Sequence, residues 1–430
     1  MKTSVFMTSL CLGVFASGAF AADVSIKGNV SETVDASNNY FLTNTPSGST
    51  VRSLTAGTLD ILARTPTTQY LLDTNYSYYK YFGPGAADAG GLVWGTPASA
   101  RFSIDHTTEL AKYNIAASWS REDATQTQLA QSGVATIRGS INTFTANGGV
   151  TRDLGRIDSV SWTANASKVS YTDPNQTPYV DVTTMASWNH KLTQTTTLIN
   201  SVSFDWFSAD NNAESQRLFW KMTTGLQSKL SSRLTFTGNV GFAFVNSYQN
   251  GVAQPIIPFG SFQPQVGTGN GWLGDIALNY DLLKTTTVSL TAAHAITPLI
   301  TGQLQLSDTV GLTLAHKINS ASNLTFSTQF SYLPANSGSS FTSNQSSPSD
   351  FFTASVAYGY QLTREWRTNL SYAYRQRNDD TGLARSSTVT FVLSRDLTIL
   401  GNPTAINQAE QERARERAQQ SVGQVFPTFQ

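Results

Sequence analysis

The sequence predicts an all-β protein: a transmembrane antiparallel up-and-down β-barrel of about 18 strands, within a range of roughly 16–18. Three observations lead to this fold class. A secretory signal comes first, apolar residues then recur with a period of two from Val24 to about Leu400, and short polar connections take turns with long variable ones. The chain is accordingly divided into a signal peptide (residues 1–21), a barrel (residues 22–400) and a charged tail (residues 401–430).

The composition excludes two large classes of protein. Of the 430 residues only 13% are charged, and the formal net charge is zero. A nucleic-acid-binding protein needs a strongly basic face, which this chain does not offer. After the signal peptide there is no run of about 18 apolar residues, so a helical inner-membrane protein is excluded as well.

The first residues form a signal peptide with an expected cleavage after Ala21. Lys2 supplies the positive charge, residues 5–20 form the apolar run, and the end of the run has the small-x-small pattern of a cleavage site. Cys11 is the only cysteine and lies within that run. The mature chain is therefore expected to contain no disulfide, thiolate nucleophile or cysteine metal site.

Alternation is the signature of the strands. In "PYVDVTTMASWNHKL" (178–192), Val180 and Trp188 point one way while Asp181 and Asn189 point the other. The stretches "TLINSVSFDWF" (197–207) and "RLTFTGNVGFAF" (233–244) alternate in the same manner. These arms run about ten to fourteen residues, enough for a tilted strand to cross a bilayer.

The connections between the arms are of two kinds. The short ones include "KLTQTTTL" (191–198), "KLSSRLTF" (229–236), "DLLKTTTV" (281–288), "KINSASNLTF" (317–326) and "QLTREW" (361–366). The long ones are rich in Gly, Pro, Asn and Ser, as in "GPGAADAGGLVWGTP" (83–97). Short turns on one rim and long loops on the other are typical of a membrane barrel, whose two ends then lie on the short-turn rim.

The hairpin "GYQLTREWRTNLSYAYRQR" (359–377) shows which medium suits the two faces. One face carries Trp366, Leu370 and Tyr372, and the other carries Arg367 and Arg375. Because backbone groups in lipid must pair internally, a sheet crosses a bilayer only when it closes on itself. The aromatic face then belongs in lipid and the polar face lines a wet lumen. A soluble β-sandwich and a passenger-bearing autotransporter are the alternatives.

By the run "GYQLTREWRTNLSYAYRQR…SSTVTFVLSRDLTI", with its Y-x-L-T-R-x-W turn, the chain resembles bacterial outer-membrane β-barrel proteins associated with exopolysaccharide and exosortase-type loci. The resemblance covers residues from about 53 to 400. It implies a part in moving or assembling surface polymer rather than a reaction. The chain departs from many outer-membrane barrels in that its last strand is followed by the tail, so the assembly signal is internal or lies in "VFPTFQ".

Charged residues on the predicted lumen face are the candidate site. The pore-lining candidates are Arg101, Asp181, Asp205, Lys221, Arg233, Asp275, Arg367 and Arg375, and Asp105 and Arg217 share their parity. In the functional interpretation they set the selectivity of the pore. In the alternative interpretation they are the ordinary solvated or paired residues of a polar barrel interior. A register error of one residue would turn any of these side chains outward.

Chemistry is not expected. The four histidines, His106, His190, His294 and His316, lie on separate arms, and His106 and His190 share the apolar face. We expect interfacial or structural roles for them, no catalytic residue, no metal site and no cofactor.

The tail changes character after Pro403. Residues 404–430 hold three glutamates and three arginines among helix formers, with Thr404 as a possible helix cap. Lying in the periplasm, this helical or disordered tail would plug the lumen, dock on a periplasmic partner or peptidoglycan, or fray.

The sequence therefore favours an outer-membrane channel or export pore of a Gram-negative bacterium. Its expected partners are outer-membrane lipid, the barrel-assembly machinery, and a polysaccharide or small polar solute. The alternative is a non-conducting scaffold or binding barrel of a surface-polymer export or assembly system, and an outer-membrane hydrolase is a third hypothesis.

Overall fold

The computed structural model of the protein describes residues 23–91, 93–132, 138–210, 216–249, 252–253, 268–298, 304–334 and 348–401. The predicted signal peptide and all but the first residue of the predicted tail lie outside the described residues, so both stay predictions.

The described part of the chain contains eighteen long strands and two strands of two residues each, Trp94–Gly95 and Val252–Ala253. The long strands are β1 (Asp23–Ser37), β2 (Thr50–Arg64), β3 (Thr68–Phe82), β4 (Ala98–Thr107), β5 (Ala111–Asp123), β6 (Ser140–Asp153), β7 (Asp158–Tyr171), β8 (Tyr179–Lys191), β9 (Thr196–Ala209), β10 (Gln216–Lys229), β11 (Leu234–Gln249), β12 (Thr268–Leu283), β13 (Thr286–Pro298), β14 (Leu304–Lys317), β15 (Ser322–Leu333), β16 (Ser349–Gln361), β17 (Trp366–Asp379) and β18 (Gly382–Leu400). Among the described connections, one α-helix, α1 (Ala124–Ser132), and one 3₁₀-helix, Pro84–Ala89, are present.

Each long strand pairs antiparallel with the next along the chain, and the sheet closes on itself. The closing ladder joins β1 to β18, from Ser37 opposite Thr388 to Ile26 opposite Leu400. The prediction of a closed antiparallel up-and-down barrel of about 18 strands is confirmed. Several strands exceed the predicted fourteen residues, with 16 in β11 and β12 and 19 in β18.

The two rims differ as the sequence predicted. The short-turn rim consists of residues 65–67, 108–110, 154–157, 192–195, 230–233, 284–285, 318–321 and 362–365. The long-loop rim carries the remaining connections, of which residues 380–381 form the one tight turn within the described chain. Both ends of the barrel lie on the short-turn rim, because Asp23 stands opposite Arg64 and Leu400 opposite Ile26.

The outward face of the sheet is apolar and has two aromatic bands. Near the short-turn rim lie the exposed rings of Tyr113, Trp162, Trp188, Tyr280, Tyr358 and Trp366. Near the long-loop rim lie those of Phe82, Trp220, Phe244, Trp272 and Tyr332. An apolar band between two aromatic girdles is the surface of a membrane-spanning barrel. Within the described part of the chain, neither helix has the length and hydropathy to cross a membrane.

Helix α1 was not predicted. The Asp123 carboxylate caps it, accepting hydrogen bonds from the backbone N–H groups of Thr125 (2.8 Å) and Gln126 (3.3 Å). Asp123 followed three residues later by Gln126 is the local signal that precedes such a helix. Its Leu129 is buried among side chains of the barrel interior.

Candidate functional site

The lumen face carries most of the predicted site residues. Parity along the ladders places Arg101, Asp105, Asp181, Asp205, Arg217, Lys221, Asp275, Arg367 and Arg375 on the same inward face. Arg233, predicted to line the pore, is the exception because it does not lie on a strand. It lies in the exposed short turn before β11, where the Ser231 hydroxyl accepts hydrogen bonds from the backbone N–H groups of Arg233 and Leu234. The alternation of β11 starts only at Leu234.

A cavity of about 1400 Å³ occupies the lumen toward the short-turn rim. One part of its wall is a row of directly opposed inward residues on β1 to β4: Lys27, Asp60, Asp73 and Arg101. Two carboxylates thus lie between two cations. This order compensates charge along the row, since neighbours across a ladder are close enough to interact.

The same wall continues through β18 and β17. One guanidinium nitrogen of Arg367 lies 2.7 and 2.5 Å from the two carboxylate oxygens of Asp396. Asn29 donates to the same carboxylate from the other side at 2.8 Å. Arg367, Asp396 and Asn29 all line the cavity. The predicted Arg101 and Arg367 therefore belong to one charged wall, whose other members the sequence prediction did not single out.

A second charged group lies on β8 to β10. The Lys221 ammonium is 3.1 Å from the Asp205 carboxylate, and both side chains are largely buried. Asp181 lies on the neighbouring strand, and the Arg217 guanidinium lies 6.0 Å from the centre of the Phe207 ring. Two strands further along the sheet, Asp275 on β12 accepts a hydrogen bond of 2.9 Å from the Asn239 side chain. The lumen is thus polar on several sides, but its charges fall in separate groups.

The strands β13 to β16 contribute hydroxyl and amide groups instead of charges over most of their inward faces. The hydroxyls of Ser327 and Ser355, for example, lie 2.7 Å apart across the β15–β16 ladder. Thr291, Thr309 and Gln329 share this face. Such a wall offers hydrogen-bond donors and acceptors without a net charge of either sign.

Residues 38–49, which we name the mouth segment, fold into the lumen at the long-loop rim. Tyr40, Phe41 and Leu42 are buried, and they pack against inward residues of β3, β16 and β18 and against Leu129 of α1. The Tyr40, Phe41 and Tyr81 rings meet edge to face with centroids 5.2–5.3 Å apart. The sequence did not predict this packing.

Polar contacts hold the mouth segment to the wall. The Asn39 side chain donates to the carbonyls of Thr43 (2.7 Å) and Arg385 (3.0 Å). The guanidinium of Arg377 donates to Asn44 at 3.2 Å. Leu42 has a φ of 51°, a conformation that a bulky side chain adopts only where packing compensates for the strain. The segment is therefore fixed in place by burial and hydrogen bonds together.

Arginines surround the mouth segment. The Arg52 guanidinium lies 5.4 Å from the centre of the Tyr40 ring and 2.5 Å from the Asp35 carboxylate. Burial raises the pKa of the Tyr40 hydroxyl to about 12. Arg377 forms an ion pair of 2.9 Å with Asp379. Asp35, Arg52 and Arg377 have the inward parity of their strands, so alternation alone could have marked them as lumen residues.

All four histidines lie on the outward face. His190 bonds Asp158 at 2.8 Å, His294 bonds Asp308 at 2.5 Å and stacks on Trp272, and His106 and His316 bond threonine hydroxyls. Each lies on an outward position of its strand, in agreement with the prediction for His106 and His190. Within the described ranges no group of three or more His, Cys, Asp or Glu side chains is arranged to hold a metal ion.

No family model and no curated protein matches this sequence. Several solved structures are similar to it. OccK2 (OpdF) from Pseudomonas aeruginosa has a TM-score of 0.47 and 10% identity, and the match covers 88% of this chain and 98% of OccK2. OccAB2 from Acinetobacter baumannii has a TM-score of 0.48 and 8% identity, and the match covers 89% of this chain and 100% of OccAB2. The outer membrane protein OpdK from Pseudomonas aeruginosa has a TM-score of 0.48 and 8% identity, and the match covers 87% of this chain and 98% of OpdK. With TM-scores below 0.5 and identities of 10% or less, these likenesses support no conclusion about this chain.

Proposed function

We propose that the protein is a channel of the Gram-negative outer membrane through which small polar solutes cross, and that it performs no reaction. The observation that carries this proposal is a closed 18-stranded sheet that is apolar and aromatic outside, polar inside, and encloses a cavity of about 1400 Å³. Barrels of about 16–18 strands are wide enough to leave an aqueous passage.

The orientation follows from the rims. Short turns face the periplasm and long loops face the outside in barrels of this kind. The short-turn rim and both barrel ends then lie in the periplasm, as does the tail at residues 401–430. The secretory signal at residues 1–21 supports export across the inner membrane. Folding into the membrane would involve the barrel-assembly machinery, and the tail would be available to a periplasmic partner.

The charged groups of the lumen are proposed to select the solute. Arg101 and Arg367 face the cavity near the periplasmic rim, while Asp181, Asp205 and Lys221 lie on another part of the wall. Asp275 and Arg375 share the inward face. Because substitutions of lumen residues tune what passes through a barrel, these positions are where selectivity would be altered.

A small solute is favoured over a polysaccharide. The buried mouth segment and α1 occupy lumen space at the long-loop rim, and a polymer chain would have to displace them. The only support for a role in surface-polymer export is the resemblance of the hairpins to the exopolysaccharide-associated barrels.

The second candidate is a non-conducting scaffold barrel of a surface-polymer system. The packing of Tyr40, Phe41 and Leu42 inside the lumen favours it, because a filled mouth serves binding and stability rather than flow. The two candidates differ in one property, the passage of ions.

Single-channel conductance in a planar bilayer separates them. The mature chain is compared with a chain that stops after Leu400, in potassium chloride. Steady current through both supports a channel with a dispensable tail, and current through the shortened chain alone supports a channel that the tail closes. If neither chain conducts, although the shift of gel mobility on heating shows that both are folded, the channel proposal fails and the scaffold proposal replaces it.

A further inference from the structure

A groove with a volume of about 940 Å³ runs along the outward wall of the barrel, across β5 to β11. One row of directly opposed outward residues forms one side of the groove: Arg152, Val160, Trp188, Asn200, Thr224 and Val240. The adjacent row forms the other side and includes Trp162, Ala186, Met222 and Phe242. The groove therefore follows the hydrogen-bonding direction of the sheet instead of the strands.

The groove is inclined relative to the rim. At one end, Arg152 lies one residue from the end of β6 on the short-turn rim. At the other end, Val240 lies six residues after the start of β11 on that rim. With strands about 4.8 Å apart, the row is about 24 Å long. It climbs from the short-turn rim toward the middle of the apolar band.

The lining of the groove is apolar. Trp162, Met222 and Phe242 expose 52%, 57% and 56% of their surface, and Ala186 leaves a low point between them. The polar groups present are mostly paired with one another. The Thr224 hydroxyl donates to the Asn200 side chain at 2.9 Å, and the Trp162 indole N–H donates to the Thr184 hydroxyl at 2.9 Å. The groove thus offers a hydrocarbon-like surface to whatever fills it.

The rim end of the groove is basic. The exposed Arg152 lies there, and the adjoining turn carries the exposed Arg156. The nearby Asp158 carboxylate already accepts hydrogen bonds from the Trp188 indole (3.0 Å) and from His190 (2.8 Å). Two guanidinium groups at the headgroup level, at the foot of an apolar groove, complement one phosphate with attached hydrocarbon.

We propose that this groove binds one glycerophospholipid of the periplasmic leaflet. Its phosphate lies against Arg152 and Arg156, and an acyl chain lies along the groove past Trp188 and Met222. The inference rests on the proposed membrane placement of the short-turn rim. A chain reaching from the headgroups to the bilayer centre covers about 15 Å, which the groove accommodates. A second copy of this chain fits less well, because two concave surfaces do not fill each other.

Native mass spectrometry of the full mature chain in lipid-free detergent, titrated with palmitoyl-oleoyl phosphatidylglycerol, tests the proposal. One lipid is expected to bind per barrel. Ala186→Trp, which fills the low point of the groove, and R152Q/R156Q should each weaken binding by about tenfold or more. The matched controls are Ala117→Trp, at another exposed outward alanine, and Arg395→Gln, at an outward arginine of the same rim. Both should bind like the unaltered chain.

Diacylglycerol is the second probe, since it has the chains but no phosphate, and it should bind more weakly than phosphatidylglycerol. Equal binding of the two, or unchanged binding in Ala186→Trp, overturns the proposal. A lipid-free dimer that Ala186→Trp abolishes assigns the groove to self-association instead. Planar-bilayer conductance of the same variants should be unchanged because the groove lies outside the lumen. If the barrel binds lipid but never conducts, the channel proposal fails and the lipid-binding proposal stands.

Discussion

Replacing Phe41 by alanine should release the mouth segment from the lumen. Phe41 is 2% exposed, and its ring lies 5.3 Å from the ring of Tyr40 and 5.2 Å from that of Tyr81. No barrel ladder includes it, so its loss acts on the docking of residues 38–49 and leaves the strand pairing intact. Leu42, whose φ of 51° depends on the same packing, should then relax.

The magnitude follows from the burial. Replacing a fully buried phenylalanine by alanine costs about 3–5 kcal/mol, from lost transfer energy and the cavity left behind. Since about 1.4 kcal/mol changes an equilibrium constant tenfold, even the lower figure raises the undocked population by about a hundredfold. A closed mouth that opens rarely would then be open for a measurable fraction of the time.

Single-channel recording at fixed voltage is the assay. Phe41→Ala should show more frequent and larger current steps than the unaltered chain. Phe352→Ala is the matched control, because Phe352 is an outward residue whose ring contacts Tyr374 outside the lumen. Equal currents in Phe41→Ala and the unaltered chain, with the barrel folded, would show that the mouth segment does not limit the passage.

Three further predictions concern the wall and the mouth. Gly241→Val should prevent folding because a Cβ at this position would lie 2.1 Å from the backbone oxygen of Met222. The shift of gel mobility on heating measures folding, and Gly57→Val, where a Cβ would meet open space, is the control. The buried hydroxyl of Tyr40 keeps its proton up to about pH 12, while an undocked one releases it near 10. Docking should therefore weaken as the pH rises from 10 to 12, and Tyr40→Phe should abolish this change in current. Asp396→Asn removes the carboxylate partner of Arg367, so the reversal potential in a salt gradient should shift toward anion preference; no shift would place this wall outside the ion path.

The strands could be predicted because alternation reports directly on the two media. Val180 and Trp188 of β8 point outward and Asp181 points inward, as their spacing indicated. Arg233 was misplaced because a polar residue just before a strand continues the alternation without belonging to it. Its position depends on the turn that Ser231 forms, which the period of two does not reveal.

The mouth segment could not be predicted for a different reason. Tyr40, Phe41 and Leu42 lie among turn-forming residues, and local sequence does not say whether a loop folds into the barrel or over its rim. Their partners come from β3 and β16, far away along the chain. Likewise, parity places Lys27, Asp60, Asp73 and Arg101 on the inward face, but only the ladder registers bring them into one row.

The order of charges in that row bears on how a channel of this design would select its solute. Lys27 and Arg101 flank Asp60 and Asp73, and Arg367 is paired with Asp396, so opposite charges compensate within a few ångströms. A compensated wall produces little field at a distance, in contrast to a lumen lined by one sign of charge. Selection would then depend on direct contact with donors and acceptors in the cavity. Removing one partner would leave the charge of the other uncompensated. A single neutralisation should therefore change the ion preference clearly, although the intact wall has little net charge.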